Sequence, residues 1–145
     1  MTKVIAIDPG SYKCGLVIAR LEQKIVDEAI VLKSDLLINY LKKIFETEDD
    51  LEFLIGNGTS SQKFINALDG CVSKLIVVEE KNSTFRAKQR FFEIFPLLGI
   101  KALLPREIFI LNKNLDALAA LIIMEDYYKS KFNISNVVSF RTWLK

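Results

Sequence analysis

Four consecutive apolar residues, Val4, Ile5, Ala6 and Ile7, run straight into Asp8-Pro9-Gly10-Ser11 near the start of the chain. An apolar run without polar alternation marks a strand covered on both faces, and such a strand belongs inside a sheet. Asp8-Pro9-Gly10-Ser11 is a turn sequence, so the strand Lys3–Asp8 ends on an acid that points into the crevice at the strand ends. Two further apolar strands are expected at residues 14–20 and 25–32, with the polar break 21–24 between them. Breaks this short predict an antiparallel meander.

Beyond the meander the pattern changes to alternating helix and strand. Ser34 and Asp35 are helix caps, followed at helical spacing by Leu36, Leu37, Tyr40, Leu41, Ile44 and Phe45. Residues 51–55 read as a fourth strand ending in Gly56-Asn57-Gly58-Thr59. Ser60 or Ser61 caps a second helix that Gly70 stops. Residues 74–78 form a fifth strand. Ser83 caps a third helix carrying Phe85, Phe92 and Phe95, which Pro96 closes. Residues 97–111 are irregular with a short strand at 108–111, residues 115–131 a long helix, and the tail 132–145 is left unassigned. A meander followed by right-handed crossovers gives an α/β fold, a mixed sheet covered by helices. The 145 residues suit one domain, 1–145, and the half that are hydrophobic supply its core without disulfide or metal staples.

The chain contains no histidine, which excludes His-based triads, His zinc sites and imidazole proton shuttles. Catalysis here must rest on carboxylates, Lys, hydroxyls or a metal held by oxygen. Cys14 and Cys71 lie far apart and match no metal-ligand spacing; they read as thiols in a reducing compartment. Twenty basic against 18 acidic residues give a net charge of +2, so any nucleic-acid surface must come from local clustering. The start of the chain leads directly into a strand pattern rather than a signal peptide, and the apolar run 118–124 is too short to span a bilayer. The expectation is a cytoplasmic protein, not a membrane one.

Three acidic segments carry the chemistry. The first is Asp8-Pro9-Gly10-Ser11 with Lys13 and Gly15. The second is Glu79-Glu80-Lys81-Asn82-Ser83-Thr84, two acids at a strand end before a hydroxyl-capped helix. The third is Asn114-Leu115-Asp116-Ala117-Leu118-Ala119-Ala120, an acid among small residues that let a helix lie close to the sheet. Each also has a purely structural reading: an ordinary turn, a capped strand exit, and an acid complementing the helix macrodipole.

In register, the three segments resemble the YqgF and RuvC nucleases, over about residues 3–130. The opening resembles their first strand, where an Asp precedes a Gly-containing turn. Glu79 to Thr84 resembles the YqgF acid-Glu-Arg-x-Thr-Thr element, with Lys81 for the Arg and Ser83 for the first Thr. Asp116 to Ala120 resembles the terminal-helix element of both groups. The resemblance implies an RNase H-like domain with a five-stranded mixed sheet in the order 3-2-1-4-5. It implies a metal-dependent nuclease, acting on pre-ribosomal RNA or on branched DNA junctions, as a monomer or homodimer. Asp8, Glu80 and Asp116 are then the catalytic residues and the ligands of Mg²⁺ or Mn²⁺, hard ions that take oxygen donors. Two such ions about 4 Å apart can activate water and stabilise a leaving oxygen without histidine. Lys13, Lys81, Thr84, Arg86 and Lys113 are the implied nucleic-acid contacts.

The sequence departs from the pattern twice. Where RuvC has an acid after the fourth strand stand Gly56 and Asn57, and one helical turn before Asp116 stands Lys113. In the strand order 3-2-1-4-5, Glu80 also lies two strands from Asp8, roughly 9–10 Å away, so its side chain must reach across; Glu79 is the alternative ligand. Gly56-Asn57-Gly58-Thr59 has two readings, a phosphate cradle of backbone N–H groups and an ordinary tight turn. Lys88, Arg90, Lys101 and Arg106 either join the phosphate-binding set or form solvated surface. Phe91, Phe92 and Phe95 read as core. Three functions compete: an active nuclease; a degenerate RNase H-like module binding nucleic acid or protein, which Lys113 and the near-neutral charge favour; and an actin-like ATPase or sugar kinase, whose first phosphate loop Asp8-x-Gly10 followed by Gly15 also resembles but which needs two such domains.

Overall fold

The computed structural model describes residues 1–72, 74–106, 108, 115–135, 138 and 140–143. Its sheet opens with the expected meander, β1 (Lys3–Asp8), β2 (Lys13–Arg20) and β3 (Ile25–Lys33), every pairing antiparallel. Helix α1 (Ser34–Phe45) then crosses to β4 (Leu51–Gly56), which lies parallel to β1 on its other side. Helix α2 (Ser61–Leu68) crosses again to β5 (Leu75–Val78), parallel to β4. The five strands stand in the order 3-2-1-4-5, as the meander and two crossovers require.

The tail extends this sheet. Two short strands, β6 (Asn133–Ile134) and β7 (Phe140–Trp143), both pair parallel with β3, so the described sheet has seven strands. Neither was expected, because two to four residues are too few to show a period. Of the irregular stretch, Gly99–Leu103 forms a 3₁₀ turn; the strand expected at 108–111 falls, save for Ile108, outside the described residues.

Strand alternation divides the core in two. Ile5 and Ile7 of β1, Leu16 of β2 and Ile55 of β4 face α1 and α2. Val4 and Ala6 of β1, with Val17 and Ala19 of β2, face a helix of unusual composition, α4 (Asp116–Tyr128). Every residue from Ala117 to Met124 is buried. A helix apolar all round must be covered all round. The sheet covers one side and α3 (Ser83–Ile94) lies against another, with Ala87, Phe91 and Ile94 at helical spacing in the shared core. The aromatic residues divide: Phe92 is buried and Phe91 half-buried, whereas Phe95 is 44% exposed. Cys14 is a buried free thiol and Cys71 an exposed one. No described helix is long and apolar enough to cross a membrane.

Candidate metal centre

Asp8 is the last residue of β1 and pairs in register with Gly15 of β2. By the alternation that puts Val4 and Ala6 on the α4 face, Asp8 lies on that face too. The turn behind it is tied down by Ser34. Ser34 was expected as a helix cap; instead α1 begins at Ser34, and its buried hydroxyl donates to the Gly10 carbonyl at 2.7 Å. The Ser34 backbone N–H also bonds the Tyr12 carbonyl at 2.8 Å.

Asp116 opens α4, where the helix macrodipole favours a carboxylate. Its position depends on Gly15. A Cβ at Gly15 would collide with the Asp116 carbonyl, so only glycine lets the first turn of α4 touch β2. Lys13, two residues earlier on the same face of β2, places its ammonium 3.3 Å from Asp116 Oδ2. Lys13 was expected on substrate phosphate; the structure sets it against an acid of the site.

Glu80 reaches Asp8 by a route that the sequence reading missed. It follows β5, two strands away, and its side chain lies over the end of β4. A Cβ at Gly56 would strike the Glu80 carboxylate, and one at Gly58 would crowd its Oε2. The Asn57 side-chain oxygen accepts the Glu80 backbone N–H at 2.9 Å, while the Asn57 N–H donates to the Val78 carbonyl at 3.0 Å. The residues standing where an acid was expected thus form the bed on which Glu80 lies. This corrects the phosphate-cradle reading, since Glu80 occupies the turn. Asn57 is a positioning residue whose only sequence signal was its place between two glycines at a strand end. Glu79, the alternative ligand, is largely exposed, 3.8 Å from the equally exposed Lys81.

The Glu80 carboxylate lies beside the Asp8 carboxyl, which is pushed up to about 8. Burial is the largest cause, followed by the hydrogen bond to Glu80, the Glu80 charge and the Asp116 charge. Two buried carboxylate oxygens, Glu80 Oε1 and Asp116 Oδ2, have no hydrogen-bond donor among the described residues; the Lys13 ammonium lies near the second but outside hydrogen-bond geometry. Buried acceptors without donors are uncommon and mark places where a ligand or proton completes the site. Among the described residues, no three acidic or sulfur side chains close into a ready-made metal cage. The close pair is Asp8 with Glu80, and Asp116 acts on it through its charge.

The basic residues do not gather as expected. Arg86 forms a two-pronged ion pair with Asp126 on α4. Its neighbour Arg90, four residues on, bonds Glu125 at 3.0 Å and the Phe132 carbonyl at 2.9 Å. Both follow the packing face set by Ala87, Phe91 and Ile94. They line a cleft of about 460 Å³ between α3 and the end of α4 to which none of the three acids contributes. Arg106 lies over the Phe92 ring at 5.1 Å. Thr84, Lys88 and Lys101 are exposed. Lys113 lies outside the described residues.

No family model matches the sequence, and no curated protein matches it. Among solved structures the chain is similar to T. thermophilus RuvC in complex with a Holliday junction substrate. The TM-score is 0.53 at 14% identity, and the match covers 89% of this chain and 96% of that one. At that identity the likeness establishes a shared RNase H-like fold and no more.

Proposed function

We propose that this protein is a divalent-metal-dependent nuclease that hydrolyses phosphodiester bonds of structured nucleic acid, RNA or branched DNA, with Asp8, Glu80 and Asp116 as its catalytic ligands. One observation carries the reading: carboxylates from three separate parts of the chain converge at one end of the sheet, where Asp8 feels both Glu80 and Asp116, and among the described residues two of the three present buried oxygens that no donor satisfies. The donor set, all oxygen and all anionic, fits Mg²⁺ or Mn²⁺. When bound, such an ion supplies charge stabilisation to the displacement at phosphorus. Asp8 must give up its proton to serve as a ligand. Glu80 is held by Asn57 and the Gly56–Gly58 bed, and Asp116 by the seat of α4 on Gly15. Lys81, just before α3, and Thr84, in its first turn, are exposed and offer phosphate contacts. The RuvC structure carries a Holliday junction, which makes four-way DNA the first substrate to try and structured RNA the second.

A degenerate binding module is the second reading. The observation favouring it is the Lys13 ammonium at Asp116, a cation already placed in the acidic site. Cleavage of labelled four-way junctions and structured RNA with Mg²⁺ or Mn²⁺, by the parent and by Asp8→Asn, separates the two. Metal-dependent cleavage by the parent and none by the variant is expected. Nucleic-acid binding without cleavage or metal uptake establishes the second reading.

A further inference from the structure

The contact between Lys13 and Asp116 follows from strand geometry. Lys13 and Gly15 alternate onto the same face of β2, and the bare Gly15 brings the Asp116 backbone down onto that face. A lysine two residues before Gly15 therefore stands beside the first turn of α4. Its ammonium is 3.3 Å from Asp116 Oδ2, an oxygen shielded from solvent. A metal ion approaching that oxygen meets the ammonium. Glu80 Oε1, the other orphaned oxygen, lies on the glycine bed next to Asp8.

We infer that the site takes one divalent ion, at Asp8 and Glu80, and that the Lys13 ammonium stands at Asp116 as a fixed counter-charge where a second ion would bind. The inference rests on the metal-site reading above, adds its stoichiometry and narrows the ligand set: Asp8 and Glu80 hold the ion, and Asp116 is answered by Lys13. Charge supports it. A second divalent ion at Asp116 would stand beside that ammonium in a partly buried crevice, where repulsion between cations is poorly screened.

Calorimetry and electron paramagnetic resonance with Mn²⁺ on the full chain test it, using the parent, Lys13→Met, Lys13→Gln and Lys13→Arg. Met keeps the aliphatic stem and Gln keeps polarity, so a folding defect in one leaves the other informative. Lys13 is 43% exposed, which makes either change tolerable. The parent should bind one Mn²⁺ per chain, Met and Gln variants two, and the Arg variant one, because it restores the charge. Two ions on the parent, or one on both neutral variants, overturns the inference and leaves the nuclease reading standing. No Mn²⁺ on any of the four overturns both.

Discussion

Two groups of charged side chains flank α4, and they are resolved in opposite ways. At its C-terminal end, Glu125 and Asp126 each meet an arginine of α3, and Glu125 also accepts the Phe132 N–H at 2.8 Å. At its N-terminal end, Asp116 stands with Asp8 and Glu80, two carboxylate oxygens have no donor among the described residues, and Asp8 is driven toward its neutral form. The first group fastens two helices together. The second is poised against itself, and a fold tolerates such a cluster when something else completes it. Burial alone does not mark a functional acid: Glu125 is nearly buried and fully answered.

Substitutions should separate the two ends. The largest effect is expected from Asp8→Asn, which keeps shape and removes charge. Metal-dependent cleavage should fall below detection in a gel assay while the variant stays folded; cleavage at the parent rate removes Asp8 from the mechanism. Arg90→Ala should do the reverse. It takes the cation from the nearly buried Glu125, leaving it the Phe132 N–H, and should cost about 3 kcal/mol in urea unfolding, with Mn²⁺ affinity unchanged. A loss under 1 kcal/mol would erase the structural half of the contrast.

Asn57→Ala sharpens the comparison inside the acidic site. It removes the bond that fixes the Glu80 backbone, and supporting contacts of this kind are worth about 10–100-fold in metal affinity. Mn²⁺ calorimetry checks this, and unchanged affinity would show that Glu80 needs no such bed. The pH dependence follows from Asp8, whose carboxyl rises from 3.8 to about 8 on folding. Between those values the folded chain keeps a proton that the unfolded chain has released. Metal-free stability should therefore fall as pH rises through that window, the penalty being absent below it and complete above it. Mn²⁺ affinity should rise over the same range, because the ion displaces that proton. Thermal melts in EDTA at pH 5 and pH 8 should show the slope in the parent and a flatter line in Asp8→Asn. Lys81→Ala is the smallest expected change, lowering the salt dependence of nucleic-acid binding by about one unit in log–log slope.

Much of this arrangement was legible in the sequence, and the rest was hidden for definable reasons. The run from Val4 to Ile7 and the short breaks after it specify a buried central strand and a meander, which fix the strand order. Alternation along β1 and β2 puts Asp8, Lys13 and Gly15 on one face. The bed beneath Glu80 was not legible, because Gly56 and Asn57 acquire their role only when β5 lies beside β4. The Arg86 ion pair with Asp126 was not read although its direction was available: Ala87, Phe91 and Ile94 mark the packing face of α3, and Arg86 and Arg90 border it one turn apart. Strands β6 and β7 escaped because they are short and gain their pairing from β3.

Thermal unfolding of the parent and Asp8→Asn at pH 8, each in EDTA and in excess Mn²⁺, tests the central claim most directly. If the acids at the N-terminal end of α4 form an ion site, the variant melts several degrees above the parent in EDTA, because a repelling carboxylate is gone. Mn²⁺ then raises the parent melting point and leaves the variant unmoved. A parent indifferent to Mn²⁺, with a variant less stable than the parent in EDTA, would show that these three acids are held together for the fold alone.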